Sequence, residues 1–151
     1  CINASYWDNV MEPDGQGGLA LRFGFRQIKG LSDEDISWLT AARGNGYTEV
    51  KDVWRKAGLP PPVIERLAEA DAFAVLGLSR REALWQAKAI TAKKPLPLFE
   101  RELEGEAIDE PAAHLPQMSI GEEVVEDYVS MRRSLRAHPV ALLRRILSPG
   151  C

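Results

Sequence analysis

The sequence predicts a mainly α-helical fold preceded by a short strand or hairpin, and three kinds of observation lead there. Serine is followed three residues later by a carboxylate at Ser32 and Asp35, at Ser79 and Glu82, and at Ser119 and Glu122. In this pattern the hydroxyl and the carboxylate reciprocally satisfy free N–H groups of a first helical turn, which puts helix starts near residues 33, 80 and 120. Apolar residues recur at helical spacing after or between these points, and Gly and Pro cluster where no period holds.

Residues 1–18 form an N-terminal extended or turn segment: Pro13-Asp14-Gly15-Gln16-Gly17-Gly18 is a turn-forming cluster, read as a loop or hairpin ahead of a strand at residues 19–22. A short helix then reaches Ile28, Gly30 allows a tight reversal, and a second helix begins after Ser32. Val50, Val53, Trp54 and Ala57 make one apolar stripe, and Ile64, Leu67 and Ala68 make another after Pro60-Pro61-Pro62. Proline suits that opening because the first helical N–H groups need no intrahelical acceptor. The helix from Arg80 is expected to bury Ala83, Leu84, Ala87 and Ile90, and the helix from Ile120 to bury Val124, Val125 and Tyr128. The period breaks between residues 91 and 117, where an exposed linker is expected. The chain thus divides into residues 1–18, a helical domain at 19–91, a linker at 92–118 and a helical segment at 119–151.

Composition narrows the function. With 45% hydrophobic and 27% charged residues among 151, the chain suits a soluble globular protein. No apolar run approaches the roughly 18 residues of a membrane span and no signal peptide opens the chain, so a cytoplasmic location and no membrane partner are expected. Cys1 at the start and Cys151 after Ser148-Pro149-Gly150 read as cuts through a longer chain. Neither the two cysteines nor His114 and His138 have metal-ligand spacing, and no nucleophile–base pair is placed by sequence, so no catalytic or metal residue is assigned. The net charge of −3 argues against a dominant nucleic-acid footprint. Distribution matters more, because ten acidic residues face the single base Arg101 between residues 100 and 127, whereas Arg132, Arg133, Arg136, Arg144 and Arg145 make the tail basic.

The segment Phe23-Gly24-Phe25-Arg26-Gln27-Ile28-Lys29-Gly30-Leu31-Ser32 has the form of a helix-hairpin-helix. The backbone N–H groups that open the second helix converge with its positive dipole end, which suits a phosphate without reading bases. Gly30, Leu31 and Ser32 would supply the turn, and Arg26 and Lys29 would add point charges. The opposing reading is a plain packing turn, because Asp33, Glu34 and Asp35 place three carboxylates where a phosphate would approach. Lys51, Arg55 and Lys56 offer a second basic surface, whose plainer reading is the solvated face of an amphipathic helix.

The string Leu21-Arg22-Phe23-Gly24-Phe25-Arg26-Gln27-Ile28-Lys29-Gly30, then Ala41-Ala42-Arg43 and Ile64-Glu65-Arg66-Leu67-Ala68-Glu69-Ala70-Asp71-Ala72-Phe73, resembles the helix-hairpin-helix region of the bacterial polymerase III alpha-subunit family. Ile2-Asn3-Ala4-Ser5, Gly121-Glu122-Glu123-Val124-Val125-Glu126-Asp127-Tyr128 and Ser134-Leu135-Arg136-Ala137-His138-Pro139-Val140 are similar to its error-prone, translesion branch. The resemblance implies a parent that adds deoxynucleotides opposite damaged bases in translesion synthesis and DNA repair, using magnesium in a palm domain. It implies for this segment a non-catalytic grip on duplex or primer–template DNA, a structural second hairpin near Ala57-Gly58-Leu59-Pro60, and an OB-fold after residue 147. Other translesion-synthesis proteins are implied partners. Leu96, Leu98 and Phe99 in Pro95-Leu96-Pro97-Leu98-Phe99 are similar to the family's sliding-clamp peptide, with Pro95 where the family has Gln. The alternative role is a scaffold that docks the clamp or other subunits without touching DNA.

Overall fold

The computed structural model describes residues 1–90 and 115–147, with side chains described to residue 144. The Gly-rich cluster is the tip of an antiparallel hairpin between β1, Val10–Pro13, and β2, Leu19–Arg22, with Met11 opposite Leu21. Asp14 closes the tip by accepting the N–H groups of Gln16 at 2.7 Å and Gly18 at 2.9 Å, the Asx geometry that makes Asp a turn residue. Arg22 and Glu12 pair across the ribbon at 2.6 Å.

The helices are α1, Asp33–Ala41; α2, Val50–Ala57; α3, Pro61–Glu69; α4, Arg80–Lys88; α5, Ile120–Met131; and α6, Pro139–Leu147. The mainly α expectation holds. The three serines start helices as expected: Ser32 accepts from the Asp35 N–H, while Ser79 and Ser119 each close a complete capping box. Pro61 opens α3, and Gly58, left-handed at φ +66°, ends α2 with its N–H on the Trp54 carbonyl. Glycine reaches that conformation without the Cβ penalty that other residues carry.

Two expectations need correction. The helix reaching Ile28 is only a 3₁₀ turn at Phe25–Gln27. Gly24 before it is extended, its N–H held by the Asn9 side chain at 2.8 Å, and an added Cβ there would lie 2.2 Å from the Trp7 carbonyl. Too few residues remain between that anchor and Gly30 for a full α-helix. The buried face of α5 also differs: Val124, Asp127, Ser130 and Met131 are buried, whereas Val125 is 60% and Tyr128 40% exposed. The cause is Arg80 on α4, which draws Asp127 inward.

A single core gathers Phe25, Ile28, Ile36, Leu39, Val50, Val53, Ile64, Leu67, Phe73, Ala83 and Ala87. The first residues join it, since Ile2 is fully buried and donates its N–H to Ala72. Asn3 clamps the loop before α2, donating to the Tyr47 carbonyl at 3.0 Å and accepting the Tyr47 N–H at 2.8 Å. Met131 carries α5 into the same core. Polar links hold α5 there: Arg80 reaches Asp127 at 2.5 Å and Glu123 at 3.1 Å, Arg81 reaches Glu122 at 3.2 Å, and Lys29 donates its backbone N–H to the Ser130 carbonyl at 3.1 Å and its ammonium to the Val129 carbonyl at 2.8 Å.

Candidate nucleic-acid interface

The turn at Gly30 is built from both sides. Gly30 has φ +76°, and an added Cβ would meet the Arg66 guanidinium at 2.7 Å. Arg66, on α3, donates to the Gly30 carbonyl. Lys29 donates its backbone N–H to Ser130 and its ammonium to the Val129 carbonyl at 2.8 Å, so the last turn of α5 lies against the turn. The carbonyls at the end of a helix carry partial negative charge and suit a lysine there. An ammonium has three donors, so Lys29 keeps its charge and two further N–H groups.

The remaining residues expected at this site have distinct roles. Arg26 is exposed and paired with Asp8 at 2.6 Å. Leu31 packs partly buried against the core. Ser32 is the N-cap, and its hydroxyl also reaches the Asp35 carboxylate at 2.6 Å. Asp33, Glu34 and Asp35 fill the first turn of α1, so that flank repels an anion. Lys51 and Arg55 stand exposed on α2, while Lys56 turns to Asp52 at 3.3 Å and to the Tyr47 ring at 5.8 Å. No hydrogen bond or ion pair among the described residues joins α2 to the Gly30 turn. Leu96, Leu98 and Phe99 lie outside the described residues.

Three cations absent from the expected site stand at or near the turn. Arg66 has no local sequence signal, because its partner Gly30 lies 36 residues away. Arg132 and Arg133 belong to the basic tail and follow directly on the end of α5. Arg133 lies over the Phe23 ring at 5.3 Å from its centroid, a cation–π contact that orients a guanidinium without neutralising it. Arg136, from the same tail, is instead structural, bound to Asp71 and 3.5 Å from Glu123. His138 accepts the Val140 N–H at 3.2 Å, a turn role. Among the described residues no group of His, Cys, Asp and Glu could hold a metal ion, and no helix is long and apolar enough to cross a membrane.

Gly58 joining α2 to α3 gives a second glycine-pivoted reversal beside the one at Gly30. A family model described as the helix-hairpin-helix motif matches residues 1–83, more than half of the chain, and the chain belongs to that family. Within this class the similar proteins are error-prone DNA polymerases. The chain is 61% identical over 150 residues to the error-prone DNA polymerase of Ruegeria pomeroyi, covering 99% of the chain and 14% of that protein. It is 44% identical over 166 residues to the error-prone DNA polymerase of Mesorhizobium japonicum, covering 97% and 15%. With error-prone DNA polymerase 2 of Agrobacterium fabrum it shares 46% over 156 residues, covering 98% and 14%. The chain is homologous to one segment of these enzymes and spans about a seventh of their length.

Proposed function

We propose that this segment is the non-catalytic DNA-holding part of an error-prone DNA polymerase acting in translesion synthesis and DNA repair. It grips the backbone of duplex or primer–template DNA without reading sequence, while nucleotide addition with magnesium takes place elsewhere in the parent, in the cytoplasm. The observation that carries the reading is the Gly30 turn, where Lys29 and Arg66 sit on backbone carbonyls and keep their charge beside the reversal. Cations on a backbone scaffold suit phosphate contacts that position a duplex and carry no base information. Lys51 and Arg55 form a second exposed contact surface on α2. Leu96, Leu98 and Phe99 would dock the sliding clamp, as apolar side chains on a proline-stiffened segment enter a cleft at low ordering cost.

Binding of the intact polymerase to labelled primer–template duplexes of unrelated sequence, followed across a salt series, tests this. Lys29→Glu combined with Arg55→Glu should weaken all duplexes alike and lower the slope of log affinity on log salt by about 1 for each phosphate no longer neutralised. Unchanged affinity and slope would leave the scaffold reading, which the carboxylates Asp33, Glu34 and Asp35 favour.

A further inference from the structure

We propose that the end of α5 forms the second half of the phosphate-contacting surface, with Arg132 and Arg133 meeting the backbone beside Lys29 and Arg66. The inference rests on the DNA-holding reading and adds residues from a part of the chain that the family model does not match.

Four observations converge on it. The Lys29 N–H and ammonium both hold carbonyls of the last turn of α5, at Ser130 and Val129. At most about 3.6 Å of chain separates successive residues, so the backbones of Arg132 and Arg133 lie within about 11 Å of that fixed point. Arg132 ends α5 in the left-handed region, φ +59°, with its N–H on the Tyr128 carbonyl. That position favours glycine, and a side-chain-bearing residue kept there is a pattern concentrated at functional sites. The Arg133 guanidinium rests on Phe23, which leads straight into the Gly24 anchor and the turn. A guanidinium held over a ring still has N–H groups to offer a phosphate.

The charge pattern fits. Arg22, Arg26, Lys56, Arg80, Arg81 and Arg136 are paired with carboxylates. Arg132 and Arg133, both exposed, have no carboxylate partner among the described residues, and neither do Lys29 and Arg66. Since the first turn of α1 is acidic, the favourable approach for a phosphate backbone is from the α5 side.

The test uses the intact polymerase and a labelled primer–template duplex, with affinity measured across a salt series. Arg132→Gly with Arg133→Ala should weaken binding roughly tenfold at moderate salt and lower the salt slope by about 2, equally for unrelated sequences. Glycine at 132 preserves the left-handed cap, so an unlowered melting temperature shows that the fold is intact and that the weaker binding comes from the missing guanidinium groups. Arg133→Lys should keep the slope. If the double variant binds as the parent does while Lys29→Ala with Arg66→Ala binds weakly, the inference is overturned and the DNA-holding reading stands. If neither pair changes affinity or slope, both fall.

Discussion

Asp52 shows how one side chain fixes the start of a helix. It lies in the first turn of α2, and its carboxylate accepts the N–H of Thr48 at 3.0 Å, the Thr48 hydroxyl at 2.8 Å and the Lys56 ammonium at 3.3 Å. Against a desolvation that raises its pKa, these Thr48 and Lys56 donors bring the carboxyl down to about 2. A depressed carboxylate stabilises the fold above its unfolded pKa of about 3.9 and loses that contribution as pH falls through the folded value. After allowance for solvent screening the contribution is about 1 kcal/mol. Asp52→Ala should therefore lower unfolding free energy by about that amount at pH 7, with the gap closing between pH 4 and pH 2. Urea titrations of both proteins over that range check it, and a gap independent of pH would refute the ionic origin. Neither the Thr48 pairing nor the hold of Arg66 on Gly30 was legible in the sequence. The first is a four-residue pairing outside the Ser-x-x-acid pattern, and the second joins residues 36 apart.

Helix starts were legible because their chemistry is local. Ser79 and Glu82 satisfy each other's N–H groups at 2.9 and 3.3 Å, and Ser119 and Glu122 do so at 2.7 and 3.3 Å, whatever surrounds them. The helix faces were legible only where apolar burial decides them. In α2 and α3 the stripe residues Val50, Val53, Trp54, Ile64, Leu67 and Ala68 are buried as their period requires, and Ala57 at the end of α2 is partly buried. In α5 a buried carboxylate faces inward, and no period announces it because its partner Arg80 lies 47 residues earlier. The 3₁₀ turn before Gly30 has the same lesson, since the Asn9 anchor on Gly24 that shortens it comes from 15 residues upstream. Ser119→Ala should cost about 1 kcal/mol of local stability, the usual value for a missing N-cap. Amide exchange in the first turn of α5 should then speed about fivefold while α4 is unchanged. Equal acceleration in both helices would mean that the box stabilises the whole fold and not its own helix.

At the scale of the molecule, the most buried polar link of α5 among the described residues is the Arg80–Asp127 pair. Arg80 is 3% and Asp127 0% exposed. Asp127 uses both oxygens, taking Arg80 on one and the Leu135 N–H at 2.8 Å and the Ser134 hydroxyl at 3.3 Å on the other, so it links α4, α5 and the turn toward α6. Arg80 also pairs with Glu123 at 3.1 Å, but its Nε and Nη1 are buried without a hydrogen-bond partner. Removing one member of such a pair strands a buried charge, which typically costs 3–5 kcal/mol, whereas replacing both by apolar residues of similar volume is often neutral or stabilising. Arg80→Met, which strands the fully buried Asp127, should therefore destabilise the chain by roughly 3 kcal/mol or more, and adding Asp127→Leu should recover most of the loss. The two unsatisfied Arg80 nitrogens push the double variant toward recovery, because their burial is a cost that methionine removes. Urea unfolding of the three proteins decides the point. A single variant within about 1 kcal/mol of the original would show that Met131 and the core hold α5 without the charge pair. Under the proposed DNA-holding role, the same loss should also weaken duplex binding by the intact protein, because Arg132 and Arg133 follow directly on the turn of α5 that Lys29 holds.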